Sequence, residues 1–295
     1  MSDQPSSPPA LRDVLRGAIS ALADAGVPDP AVDAELLVAA ALGPDVSRGE
    51  VQTAIIRGDA MPERAGEALR AMLRRRRDRE PLQHIVGAAP FRHLTLRVGP
   101  GVFVPRPETE QVAQLAVDAL RSAAEPEPIA VDLGTGSGAI ALALATEVPH
   151  ARIHAVERSD EAIVWTRRNV DAIAPRVDLR HGDLDAALDD LAGTVAVIVS
   201  NPPYVPHEAI PRDPEVRLHD PAAALYGGPD GLDPIRTISR VGLRLGRPGA
   251  VIVLEHGEWQ GGAVRAILAA DGWQATATHP DLTQRDRATT ALRPA

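Results

Sequence analysis

Four short apolar runs, rich in valine and isoleucine, constrain this chain most: Ile129–Leu133, Ile153–Val156, Val195–Val199 and Val251–Leu254. Helical stretches such as Ala139–Thr146 and Glu161–Val170 lie between them. A run that is apolar throughout, rather than alternating, belongs to a strand covered on both faces, and the intervening helices supply the crossovers of a parallel sheet. The expected fold class from residue 105 to 295 is therefore α/β, doubly wound around a mainly parallel sheet. A last pair, near Trp273–Thr278 and Ala288–Leu292, reads as an antiparallel edge.

The first part of the chain has another character. Leu11, Val14, Leu15, Ala18, Ile19 and Leu22 keep a helical period, with Pro9 where a first helical residue can sit. Val32, Leu36, Leu37, Ala40 and Ala41 mark a second helix, and Ser47 with Glu50 predicts a capping box for a third. A fourth carries Ala65, Leu69, Met72 and Leu73 and ends in Arg74, Arg75, Arg76, Arg77 and Arg79. That cluster reads as a solvated helix end whose charge suits the dipole, or as a docking patch for RNA or an acidic partner. Between Pro81 and Pro105, Leu94, Leu96 and Val98 alternate with polar residues among Gly87, Pro90, Gly99, Pro100 and Gly101, the pattern of a strand with turns. The expected division is a helical domain over 1–80, a hairpin linker over 81–104 and the α/β domain over 105–295. The start, Met1–Ala10, is polar and proline-rich and reads as a short disordered tail without a leader's apolar segment.

Composition removes several chemistries. There is no cysteine, and all 31 Lys+Arg are arginine. Thiolate nucleophiles, iron–sulfur clusters, lysine Schiff bases and P-loop lysines are thereby excluded, and no metal site is expected. A formal net charge of -9 speaks against a broad nucleic-acid-coating surface. No apolar run approaches the roughly 20 residues of a membrane span. The expectation is a cytoplasmic, monomeric protein with no membrane and no direct nucleic-acid partner.

Two strings carry chemistry. The first, Val131-Asp132-Leu133-Gly134-Thr135-Gly136-Ser137-Gly138, follows an expected strand and opens an expected helix. Its glycines let the backbone pass close to a ligand at a helix N-terminus. Read as G-x-G-x-x-A it suits a dinucleotide; the fuller D-x-G-x-G-x-G suits the amino-acid end of S-adenosyl-L-methionine. Gly134, Thr135, Gly136, Ser137 and Gly138 are the candidate cofactor loop. Glu157 ends the next strand about 20 residues on, where an acid accepts ribose hydroxyls in either cofactor. Asp183 follows a third strand and is a candidate for the adenine amino group, with Leu184 against the ring; a helix N-cap is the other reading of Asp183.

The second string, Ser200-Asn201-Pro202-Pro203-Tyr204, follows the buried run Val195–Val199. The first and fourth strands of a doubly wound sheet flank its switch point, so this string and the glycine loop should lie side by side. Its residue types suit a nitrogen conjugated into a flat π-system, whose two N–H groups need two acceptors. The Asn201 side-chain oxygen and the Pro202 carbonyl can be those acceptors, and both gain strength as positive charge grows on the attacking nitrogen. Pro203 fixes the direction of the carbonyl, and Tyr204 can stack on the flat group. A nucleic-acid adenine-N6 methyltransferase would share this string.

With these motifs in place, the chain resembles the HemK/PrmC-type protein-(glutamine-N5) methyltransferases. The resemblance runs through Arg79-Glu80-Pro81-Leu82-Gln83, Val102-Phe103-Val104-Pro105-Arg106-Pro107-Glu108-Thr109-Glu110, the glycine loop and Ser200–Val205. It continues through Ala224-Leu225-Tyr226-Gly227-Gly228-Pro229-Asp230-Gly231-Leu232 and Leu254-Glu255-His256-Gly257. It implies a small helical domain, a seven-stranded methyltransferase domain, S-adenosyl-L-methionine as cofactor, and the glutamine amide of the Gly-Gly-Gln loop of peptide chain release factors as acceptor. Asn201 and Pro202 would hold that amide, and Phe103 would lie near cofactor and glutamine. The helical domain would help dock the release factor. His84, Asp220, Leu184, Glu157 and the Thr283–Arg287 turn depart from the family's usual residues.

Overall fold

A computed structural model describes residues 8–295, so the stretch up to Ser7, most of the expected tail, lies outside the described residues. In chain order the helices and strands are α1 Leu11–Asp24, α2 Pro30–Leu42, α3 Arg48–Arg57, α4 Glu63–Arg77, α5 Leu82–Val86, β1 Ala88–Phe91, β2 Leu94–Arg97, α6 Thr109–Arg121, β3 Ile129–Leu133, α7 Ala139–Glu147, β4 Arg152–Glu157 and α8 Asp160–Ile173. They continue with β5 Asp178–His181, β6 Val195–Ser200, α9 Pro214–His219, α10 Ala222–Leu225, α11 Asp233–Leu245, β7 Gly246–Glu255, α12 Gly261–Asp271, β8 Gln274–Pro280 and β9 Asp286–Leu292. There are two compact units: the chain up to Gly87 together with Pro211–His219, and Ala88–Ile210 together with Asp220–Ala295.

The first unit is helical. Leu11, Leu15, Ala18 and Leu22 of α1 pack with Ala34, Leu37 and Val38 of α2 and with Val51, Met61, Leu69, Leu82 and Ile85. Ser47 and Glu50 form the expected capping box of α3. The first helix starts at Leu11 and not at Pro9, because the Pro9 carbonyl accepts the Met61 N–H instead. The arginines at the end of α4 are not a uniform solvated end. Arg76 is buried and donates to Asp33 and Glu215; Arg79 donates to Glu215 and to the Gly26 carbonyl; Arg75 pairs with Glu80. Arg74 and Arg77 remain exposed.

The second unit is the doubly wound sheet, in strand order β5-β4-β3-β6-β7-β9-β8. The pairs among β5, β4, β3, β6 and β7 are parallel; β9 runs antiparallel to β7 and to β8. One apolar layer is built from α6, α7 and α8, the other from α11 and α12. The hairpin β1–β2 puts Phe91 and Leu96 into the first of these layers, and Val98, Val102 and Val104 are also buried. The expected linker therefore divides at Gly87: α5 packs with the helical unit and the hairpin with the sheet. Among the described residues, no helix is long and apolar enough to cross a membrane.

Candidate active site

The sheet order reverses at β3, with β4 on one side and β6 on the other. Crevices for ligands open at the carboxyl ends of strands flanking such a point. Here the two ends are joined: Ser200 at the end of β6 donates its hydroxyl to the Leu133 carbonyl at the end of β3, 2.5 Å away. The next residues in the chain are Asn201 and Gly134, so the two sequence motifs are neighbours.

The glycine loop is held from below. Asp132 is fully buried; its Oδ2 accepts the Thr135 hydroxyl at 2.6 Å and the Ala141 N–H at 3.1 Å. Burial pushes its carboxyl up to about 7, against those two bonds, which favour the charged form. Asp132 thus ties the start of α7 to the turn before it. In the sequence it stands only as the first letter of the D-x-G-x-G-x-G string. Gly134 and Gly136 take positive φ of 75° and 58°, and a Cβ on either would meet nothing within 4 Å. The loop therefore has an open face that side chains would fill. Gly138, with φ 86°, instead packs under Leu142 and Thr166. Ser137 is buried, and its carbonyl accepts the Asn169 side-chain N–H at 2.9 Å.

Glu157, at the end of β4, reaches this loop. Its Oε2 accepts the Gly136 N–H and its Oε1 the Ser159 N–H, each at 2.8 Å. Each oxygen keeps a further lone pair for a hydroxyl. Asp183 and Leu184 follow β5. The Gly182 N–H donates to the Glu157 carbonyl, which brings that turn to the end of β4. The Asp183 carboxylate is exposed and accepts the Asp185 N–H, and turns rather than a regular helix follow it. Leu184 packs against the second apolar layer.

On the other side of the crevice, Asn201 donates its Nδ2–H to the Thr109 hydroxyl at 3.2 Å. That leaves its Oδ1 directed elsewhere. Pro202 is buried; Pro203 and Tyr204 are half-buried. The segment is gripped by the glycine-rich string that follows it. The Val205 N–H donates to the Leu225 carbonyl and the Gly227 N–H to the Val205 carbonyl. A Cβ at Gly227 would stand 2.4 Å from the Pro203 carbonyl oxygen, and one at Gly231 would stand 2.2 Å from that of Tyr204. The Gln260 amide also donates to the Tyr204 carbonyl. Gly231→Ala, at φ 78°, is expected to cost about 1–3 kcal/mol and to lower turnover at least about tenfold by moving Tyr204. Thermal melting and turnover measurements on the same preparation check both effects. Phe103 is half-buried, with the Arg106 guanidinium 4.9 Å over its ring; Arg106 in turn donates to Asp220.

Known proteins share this chain's organisation over nearly its full length. Residues 13–87 match the model of the PrmC N-terminal domain and residues 93–223 that of the methyltransferase small domain. A release factor glutamine methyltransferase of Streptomyces coelicolor is 53% identical over 92% of this chain and 94% of its own. The chain belongs to the release factor glutamine methyltransferase family. A second member, from Bifidobacterium longum, is 45% identical over 94% of this chain and 97% of its own. A 4-amino-L-phenylalanine/4-methylamino-L-phenylalanine methyltransferase of Streptomyces pristinaespiralis is 37% identical over 97% of this chain and 96% of its own. Among solved structures, a 16S rRNA N2 G1207 methyltransferase of T. thermophilus superposes with a TM-score of 0.51 at 21% identity, over 70% of this chain and 49% of that one, and shares the fold.

Membership makes the protein a methyltransferase whose cofactor is S-adenosylmethionine. The residues present fit that group. The open face of Gly134 and Gly136 admits a ligand close to the backbone, and Glu157 stands at the strand end where a ribose diol needs an acceptor.

Proposed function

We propose that this protein transfers a methyl group to the side-chain amide nitrogen of the glutamine in the Gly-Gly-Gln loop of a peptide chain release factor, with Asn201 and Pro202 holding the amide. The observation that carries the reading is the setting of Asn201. It stands one residue beyond the Ser200–Leu133 bond, beside the glycine loop, and its amide nitrogen is already committed to Thr109. Its oxygen is the end left to accept an N–H.

S-adenosylmethionine, when bound, supplies an electrophilic methyl on a sulfonium. Gly134, Thr135, Gly136, Ser137 and Gly138 hold its amino-acid end, Glu157 its ribose, and Asp183 with Leu184 its adenine. Asn201 Oδ1 and the Pro202 carbonyl accept the two amide N–H groups of the glutamine and so direct the nitrogen lone pair. Both oxygens bind more tightly as positive charge grows on that nitrogen, which lowers the barrier rather than only the ground state. Tyr204 and Phe103 line the flat group, and Pro203 keeps the Pro202 carbonyl in place. No base is required before transfer, because the nitrogen becomes acidic only afterwards.

The helical unit, which ends at Gly87, docks the release factor, and the unit that begins at Ala88 is catalytic. The enzyme works as a cytoplasmic monomer without direct nucleic-acid contact, in keeping with its net charge of -9. A second acceptor class has an observation in its favour, the relative named for 4-amino-L-phenylalanine. Parallel incubations with labelled cofactor decide the matter, offering release factor, adenine-containing DNA, or 4-aminophenylalanine. Label on the glutamine of the release factor, located by peptide mass, is the expected result. Label on DNA or on the aryl amine in its place overturns the assignment.

A further inference from the structure

We infer that Trp259 and Leu282 form a docking surface for the release factor, an apolar rim beside the crevice that grips the body of the protein substrate while its glutamine reaches Asn201. The surface rests on the release-factor reading given above, in which neither residue has a part.

Two turns bring these side chains to the end of the sheet at which Asn201 lies. β7 runs parallel to β6, with Leu254 paired to Ser200, so the turn that carries Trp259 leaves β7 where Asn201 leaves β6. β9 runs antiparallel to β7, with Ala288 opposite Glu255, so the turn that precedes β9 and carries Leu282 stands at the same end. The two turns are tied together. The His256 N–H donates to the Arg287 carbonyl at 2.9 Å, and Glu258 Oε2 lies 3.8 Å from Arg285 Nε. The first turn is also tied to the Asn201–Tyr204 string, since Gln260, next to Trp259, donates to the Tyr204 carbonyl at 3.0 Å.

Trp259 is 90% exposed and Leu282 89%, the two most exposed large apolar side chains among the described residues. A single exposed leucine is ordinary. Two such side chains in tied turns, edged by the charges of Glu258 and Arg285, make an apolar patch with a polar rim, the kind of surface that marks a protein interface. The other two tryptophans are engaged: Trp273 is buried, and Trp165 donates to the Pro100 carbonyl. Each turn is braced. Asp281 is buried, and its Oδ1 accepts the Thr283 N–H at 2.8 Å, the Thr283 hydroxyl at 2.6 Å and the Arg285 N–H at 3.2 Å. The Gly257 N–H donates to Gln260 Oε1 at 2.8 Å, and the Gln260 N–H to the Gly257 carbonyl at 2.9 Å. Side chains presented on pre-ordered backbone lose little freedom on binding, and tryptophan is a common anchor of an interface. The occupant is the release factor rather than a small amide. Its glutamine enters at this end of the sheet as the side chain of a macromolecule, and the surface flanking that residue lies over the adjoining rim.

The test compares Trp259→Ala, Leu282→Ala, the double variant and Leu292→Ala with the parent in steady-state methyl transfer to whole release factor. A contact made equally in the bound complex and in the transition state raises KM and leaves kcat alone. Trp259→Ala should raise KM for release factor about tenfold or more and Leu282→Ala about threefold, with kcat within about twofold of the parent and the affinity for S-adenosylmethionine unchanged. Leu292, 43% exposed at the other end of β9, is the control, and Leu292→Ala should keep the parental KM. Both rim side chains face solvent, so their variants should melt with the parent. A parental KM in the double variant overturns the docking surface, as does a loss confined to kcat. A double variant that keeps the parental KM but changes the sedimentation of the enzyme alone overturns it too, and assigns the rim to contact between two copies of this chain. A parent that leaves release factor unmethylated defeats the proposed function itself and the docking surface with it, a failure seen before any variant is made.

Discussion

Asn201→Ala is expected to lower kcat by a factor of about 10²–10³ while the affinity for S-adenosylmethionine changes no more than about threefold. The large effect has a narrow origin. The substrate nitrogen offers two N–H groups on one side, and the truncated enzyme keeps a single acceptor, the Pro202 carbonyl. The acceptor lost is the one whose interaction grows as the nitrogen gains charge, so the loss falls on the rate and not on ground-state binding. The cofactor loop is built independently of Asn201. Asp132 holds it through Thr135 and Ala141, and Glu157 through Gly136. Calorimetry with S-adenosylmethionine and single-turnover methyl transfer to release factor separate the two quantities. A variant that turns over like the parent would falsify the role of Asn201, and one that loses cofactor affinity in step with rate would show that Asn201 serves the cofactor instead.

What the sequence disclosed of this site is what lies along one stretch of chain. The glycine loop and the Asn201–Tyr204 string each combine a strand, a turn and a special residue type, and a strand's carboxyl end is where such strings act in a doubly wound sheet. The reversal at β3 and the antiparallel pair at the sheet's far edge follow from the same alternation of runs. The partners that hold those strings come from far away. Thr109 is 92 residues from Asn201, and nothing in Pro105–Glu110 names its partner. Glycines in the Ala224–Leu232 string mark a close approach, yet only the fold identifies the Pro203 and Tyr204 carbonyls as the atoms approached. Composition misled at the end of α4. Five arginines in six positions look solvated, because arginine seldom goes inside without a partner, and the partners stand 43 and 139 residues away from Arg76.

That burial gives Arg76 the largest stability effect expected here. Arg76 is 4% exposed; its guanidinium donates to Asp33 at 2.6 Å, to Glu215 at 2.7 Å and to the Glu80 carbonyl at 2.9 Å. Arg76→Ala leaves Asp33, itself 7% exposed, as an unpaired buried carboxylate, whereas Glu215 keeps Arg79 at 2.9 Å. Breaking one side of such a cluster costs about 3–5 kcal/mol, far beyond the ~0–1 kcal/mol of an exposed pair. Thermal melting should fall by about 8 °C or more in Arg76→Ala, and by less than about 3 °C in Arg74→Ala, whose side chain faces solvent. The cost belongs to the charge left behind rather than to the lost contact. The triple variant Asp33→Asn, Arg76→Met, Glu215→Gln should therefore recover most of the lost stability. If the triple variant melts as low as Arg76→Ala, the packing of the arginine, and not the uncompensated acid, is what the helical unit depends on.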